Sequence, residues 1–137
     1  MTQTKTQSTS STPPGNQPRQ NGGFPIVGLG ASAGGLEAFE QFFRHIPPDS
    51  GMAFVLVSHL DPSHASILTE ILQRTTSMPV AEAQDQMHVM PNRVYVIPPN
   101  RDMTIFHGAL QLSIPAEPHG QRMPIDLFLR SLAEDRA

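Results

Sequence analysis

The sequence predicts an α/β fold: a doubly wound, mostly parallel sheet with helices on both faces and a small β-hairpin insertion. Three observations point there. From Phe24 onward, short apolar runs alternate with stretches of helical periodicity, the pattern of successive βαβ units. Met52-Ala53-Phe54-Val55-Leu56-Val57 is too continuously apolar for a half-exposed strand and reads as a parallel strand covered on both faces. His107-Gly108 separates two short apolar segments, a two-residue connection with glycine in its second position.

Taken in order, residues 25–29 form the first strand. Leu36, Phe39, Phe42 and Phe43 recur at spacings of three and four, so a helix lays these side chains on the sheet as core until Pro47-Pro48 stops it. Residues 52–57 are the second strand. Pro62 and Ser63 open a second helix through Ile67, Leu68, Ile71 and Leu72, with Ser63 or Ser66 as its cap. Val94-Tyr95-Val96-Ile97 is the next strand, closed by Pro98-Pro99. Residues 103–106 and 109–112 are the two arms of the hairpin. Pro124 begins the last helix, at a position where its missing N–H costs nothing. No repeat of solenoid length is visible.

Composition bounds the function. The 137 residues are 38% hydrophobic and 15% charged with a net charge of −3, which fits one globular domain and argues against a nucleic-acid surface. Cysteine is absent, so disulfides, thiolate metal sites and cysteine nucleophiles are excluded. No apolar run reaches membrane-spanning length and no hydrophobic block near Met1 could serve as a signal peptide, so a cytoplasmic protein without membrane insertion is expected. Residues 1–23 contain Thr, Ser, Gln, Asn, Pro and Gly, with Met1 the sole hydrophobic side chain, and are expected to be a disordered polar tail. That tail holds Lys5 and Arg19 and no acid, which leaves residues 24–137 mildly acidic.

The most informative local feature is Gly30-Ala31-Ser32-Ala33-Gly34, a G-x-S-x-G pattern between a strand and a helix. At such a turn flanking glycines let the backbone present Oγ, and the new helix aims its free N–H groups at the same point. Ser32 is thereby the candidate nucleophile, and Gly30, Ala31, Ala33, Gly34 and Gly35 form the loop that supplies oxyanion donors. In a parallel sheet functional groups gather at the carboxyl ends of the strands. His59 follows the second strand as Ser32 follows the first. If the two strands are neighbours, His59 is placed to take the serine proton as general base. No carboxylate in the chain has a clear claim to be the third member of a triad. Asp61, before Pro62, reads as a turn residue. The spacing of His59-Leu60-Asp61-Pro62-Ser63-His64 matches no standard metal site.

Four motifs in sequence order, Ile26-Val27-Gly28-Leu29-Gly30-Ala31-Ser32-Ala33-Gly34-Gly35-Leu36-Glu37-Ala38, Ser58-His59-Leu60-Asp61-Pro62, Val94-Tyr95-Val96-Ile97-Pro98-Pro99 and Met123-Pro124-Ile125-Asp126, resemble the catalytic domain of CheB, the chemotaxis protein-glutamate methylesterase. The resemblance runs from about Phe24 to Ala137. It implies that residues 24–137 are the amino-terminal portion of such a domain, acting without a cofactor on methylated glutamates of methyl-accepting chemotaxis receptors, and in some members on receptor glutamines. It assigns Ser32 as nucleophile and His59 as base. The family's catalytic aspartate belongs to a Gly-x-Gly-x-Asp-Gly loop that these residues do not contain, so the site is expected to be incomplete and the isolated chain weakly active or inactive. The polar tail cannot be a receiver domain. Ala33, where many members have threonine, is similar to proteins in which the domain is fused to a CheR-type methyltransferase, a partner expected in cis or in trans.

Two other readings stay open at this level. Gly28-Leu29-Gly30-Ala31-Ser32-Ala33 also fits the G-x-G-x-x-G/A dinucleotide fingerprint, although Ser58-His59 follow the second strand where an acidic ribose ligand is wanted. A non-catalytic remnant or interaction module is the third.

Overall fold

The computed structural model describes residues 23–31, 36–58, 65–115 and 124–136. In chain order the elements are β1 (Ile26–Ala31), α1 (Leu36–Arg44), β2 (Ala53–Ser58), α2 (Ala65–Thr75), β3 (Val80–Glu82), β4 (Met87–His88), β5 (Val94–Val96), β6 (Asp102–Phe106), β7 (Ala109–Ser113) and α3 (Pro124–Asp135). Of the expected tail, residues 1–23, all but Gly23 lie outside the described residues, as does the expected start of the second helix at Pro62 and Ser63.

Four strands make a wholly parallel sheet in the order β1-β2-β5-β3. Its centre is β2, whose residues from Ala53 to Val57 are fully buried. Strand periodicity sends them alternately to the two faces. Phe54 and Leu56 enter one core with Val94 and Val96, while Ala53, Val55 and Val57 enter another with Tyr95 and Ile97. The continuous apolar run is thus explained by a strand with no solvent face.

The first core is roofed by α1 and α2 through Phe39, Phe43, Leu68 and Leu72. Phe42, Phe43 and Phe54 meet edge to face, with centroids 5.1 to 5.8 Å apart, the geometry that aromatic quadrupoles favour. At the end of α1 the His45 and Ile46 amides donate to the Phe42 and Phe43 carbonyls, and Pro47 follows. After α2 one side chain guides the chain into β3. Gln73 Nε2 donates to the Met78 carbonyl (2.9 Å) and its Oε1 accepts from the Val80 amide (2.9 Å).

The second core lies on the opposite face, under α3 and a three-stranded antiparallel sheet ordered β4-β7-β6. Helices therefore cover both faces, as expected. The hairpin forms where His107-Gly108 placed it, and β4 adds a third strand that the sequence reading did not foresee. His107 and Gly108 both have positive φ (52° and 77°), the combination that matches a two-residue turn to the twist of its strands. The Asp135 carboxylate accepts from both turn amides, His107 at 2.5 Å and Gly108 at 3.1 Å. One turn earlier in α3, Ser131 Oγ accepts from the Ile105 amide (3.1 Å) and donates to the Phe128 carbonyl (2.8 Å). Asp135→Ala removes both acceptors of the turn. It is expected to lower stability by about 1–2 kcal/mol, read as a lower urea midpoint at unchanged m-value; an unchanged midpoint would show that the clamp contributes nothing.

Candidate active site

The frame of the site is the shared end of β1 and β2. The two strands pair in parallel from Ile26↔Ala53 through Ala31↔Ser58, so they finish level at their carboxyl ends, one strand spacing of about 4.8 Å apart. The conditional premise of the sequence reading, that these strands are neighbours, is met. Ser32 is the next residue in sequence after Ala31, and His59 the next after Ser58. Ser32, Ala33, Gly34, Gly35, His59 and Asp61 themselves lie outside the described residues.

Gly30 and Ala31 belong to β1 and not to the loop in which they were expected. Their backbones pair with Val57 and Ser58, which carries the strand two residues beyond Leu29. The glycines of this segment answer to packing. A Cβ at Gly28 would lie 2.7 Å from Leu129 Cδ2 and 3.1 Å from Leu132 Cδ2, and one at Gly30 would collide with Ile125 Cγ2. Two missing side chains let α3 lie directly on β1. The sequence reading gave Ile125 no part beside the candidate site; the Gly28-x-Gly30 spacing, two glycines on one face of one strand, was the available signal.

This accounts for the glycines that suggested a dinucleotide. In that fingerprint the glycines serve a turn around a pyrophosphate. Here Gly28 and Gly30 sit inside a strand, with α3 filling the space in front of them. Micromolar NAD(H) is expected to leave the melting temperature unchanged, and a clear rise would restore the cofactor reading.

Several elements converge on the carboxyl edge. The amino end of α1 begins at Leu36, four residues after Ser32, and α3 brings Ile125, in its first turn, against Gly30. Helix amino ends carry free N–H groups and partial positive charge, the environment in which a developing oxyanion is stabilised. On the far side of β2 the Ile97 amide donates to the Leu56 carbonyl (3.0 Å), and Pro98-Pro99 follow in sequence. Asp126, one residue from Ile125, is exposed and bound to Arg130 at 2.7 Å. Asp135 is held by the hairpin turn. Among the described residues no three His, Asp or Glu side chains gather as metal ligands, and no helix is long and apolar enough to cross a membrane. A small open cavity of about 130 Å³ lies at the other, amino end of β3 and β5, lined by Met87, His88, Met90, Arg93 and Tyr95 among others.

Comparison with known proteins bears on what this frame belongs to. The family model described as CheB methylesterase matches residues 27–137. The chain belongs to the CheB methylesterase family. Among the CheB relatives, the protein-glutamate methylesterase/protein-glutamine glutaminase 2 of Pseudomonas aeruginosa is 30% identical over 112 residues, which cover 79% of this chain and 32% of that protein. The protein of the same name from Xanthomonas oryzae is 31% identical over 112 residues, covering 79% of this chain and 31% of its own. The crystal structure of the Thermotoga maritima CheB methylesterase catalytic domain superposes with a TM-score of 0.71 at 25% identity, covering 82% of this chain and 62% of that one. The chain thus spans about a third of the length of the curated CheB proteins it matches.

Proposed function

We propose that the chain is the amino-terminal portion of the catalytic domain of a protein-glutamate methylesterase, a serine hydrolase that removes methyl groups from glutamates of cytoplasmic chemoreceptor domains during adaptation. The observation that carries this reading is the level pairing of Ala31 with Ser58, directly before the two candidate catalytic residues in sequence. Family membership and the G-x-S-x-G pattern support it.

In this mechanism His59 takes the proton of Ser32 Oγ as that oxygen attacks the ester carbonyl. Backbone N–H groups of the loop and of the α1 amino end hold the tetrahedral oxyanion. The C–O bond to the methoxy group then breaks, and His59 returns its proton so that methanol leaves. Water then attacks the glutamyl-serine ester as His59 takes its proton; the C–O bond to Ser32 Oγ breaks, His59 passes that proton to Ser32 Oγ, and a free glutamate is released. A receptor glutamine enters the same sequence with ammonia as the leaving group. The methyl esters come from a CheR-type methyltransferase, attached or separate.

Methanol release from methylated receptor tests the reading. Residues 1–137 alone span 62% of the matched Thermotoga domain and are expected to release little. A polypeptide in which they continue into the rest of a CheB methylesterase domain is expected to be active. Robust Ser32-dependent release by the 137 residues alone would overturn the first expectation, and release untouched by Ser32→Ala in the completed domain would overturn the second.

A further inference from the structure

We propose that the open cavity at the amino end of β3 and β5 is a docking site for an acidic peptide segment, which inserts one side chain the size of leucine or phenylalanine. Size decides the kind of occupant. A volume of about 130 Å³ is far below the roughly 300–1,000 Å³ of cofactor and metabolite pockets, yet close to the roughly 150 Å³ of a cavity that holds benzene. One anchoring side chain fits. Pro79, Ala81, Met87 and Met90 supply much of the wall, and Met90 keeps 50% of its surface exposed. Flexible thioethers suit a surface that adapts to the side chain it receives.

The segment that carries Met90 is held in place. Residues 89–93 belong to no helix or strand, yet their backbone is tied down at four points. The Val89 amide donates to the Gly108 carbonyl (2.9 Å), the Met90 amide to Tyr95 Oη (2.8 Å) and the Asn92 amide to the Met52 carbonyl (2.8 Å), while the Arg93 carbonyl accepts from the Phe54 amide (3.0 Å). A wall fixed in this way is ready before its ligand arrives, which lowers the entropy cost of binding. Register sets His88 beside Ala109 and Ala109 beside Phe106, so the surface continues across the antiparallel sheet to a ring that is 57% exposed. Contiguous apolar surface, unlike a scattered exposed side chain, marks a place of association.

Charge selects the occupant. Residues 24–137 are acidic overall, but no acidic side chain lines this cavity, whereas Arg93 and His88 both line it and are exposed. Among the described residues neither side chain is engaged in an ion pair or hydrogen bond. A carboxylate beside the anchoring side chain would meet the Arg93 guanidinium and a ring N–H of His88, and a lysine there would be repelled. Strand addition is not the mode of binding. The nearest sheet edge, β3, has three residues, follows Pro79 and has its Val80 amide engaged by Gln73 Oε1 at 2.9 Å, features that blunt an edge against pairing. The cavity lies at the opposite end of the strands from Ala31 and Ser58, so a bound segment leaves the carboxyl edge clear and acts as a tether for whatever carries it. It would do so whether or not Ser32 is a nucleophile.

NMR titration of the 137-residue chain tests this with the acetylated and amidated peptide Glu-Asp-Phe-Asp-Glu and two controls, one with alanine for phenylalanine and one with lysine for every acid. The parent peptide is expected to move the amide resonances of Met87, Met90 and Arg93 but not those of Ile26 or Gly28, with half-saturation below about 1 mM. Each control should bind about tenfold more weakly or worse. Arg93→Glu and Met90→Ala, both at exposed positions, should each weaken the parent peptide by about fivefold or more and leave the unfolding midpoint unchanged. No saturation at the cavity, equal binding of either control, or shifts confined to another face would overturn the proposal. So would the same shifts appearing without peptide as the chain is concentrated, because a second copy would then be the occupant.

Discussion

Ser32→Ala in the completed domain is expected to lower turnover on methylated receptor by a factor on the order of 10⁴ to 10⁶, the loss seen when a serine hydrolase keeps its oxyanion donors but loses its nucleophile. The change deletes one oxygen and adds no bulk, so the unfolding midpoint should not fall. His59→Ala should cost a similar factor, and the double variant should be little worse than either single one, because the two groups act in one proton transfer. Additive losses would mean that they work separately. The expectation follows from register: two parallel strands that end level give the residues after them a common origin, whatever the intervening loops do.

Phe128→Ala is expected to have the largest effect on stability, about 3–5 kcal/mol, as for other fully buried phenylalanines. Phe128 has no exposed surface and joins α3 to Ile26 of β1, Val55 and Val57 of β2 and Ile105 of β6. A domain of this size has about 5–15 kcal/mol in all, so the variant should be largely unfolded at modest urea concentrations. Leu127→Ala, one residue away but 38% exposed, should cost about 1 kcal/mol or less. Equal losses at the two positions would contradict the placement of α3. Gly30→Ala probes the same contact from the strand side. The added methyl group meets a β-branched side chain with little freedom to move, and about 1–3 kcal/mol should be lost.

The elements that the sequence revealed are those whose signals are local. β2 announced itself by an unbroken apolar run, α1 by its phenylalanine spacing, and the hairpin by glycine at a position with φ of 77°. The strands it concealed are those held by tertiary contacts alone. Val80–Glu82 has two exposed residues out of three and pairs only because Gln73 and β5 receive it. Met87–His88 is two residues long and exists as a strand through its partner β7. At the candidate site the residue types stood out in the sequence but the packing around them did not. Ser32 and His59 stand out by residue type and by following strands. By contrast, the glycines before Ser32 look like a turn until α3, almost a hundred residues later, is seen to need the room.

The account rests on a proton passing from the Ser32 hydroxyl to the His59 imidazole, and the separation of those two groups tests it most directly. In a crystal structure of the completed domain treated with a fluorophosphonate, fluoride should be displaced, phosphorus should be bonded to Ser32 Oγ, and a His59 ring nitrogen should lie within about 3.2 Å of an oxygen of the adduct. Phosphorus on another residue, or His59 turned away with no path to Ser32 Oγ, would contradict it.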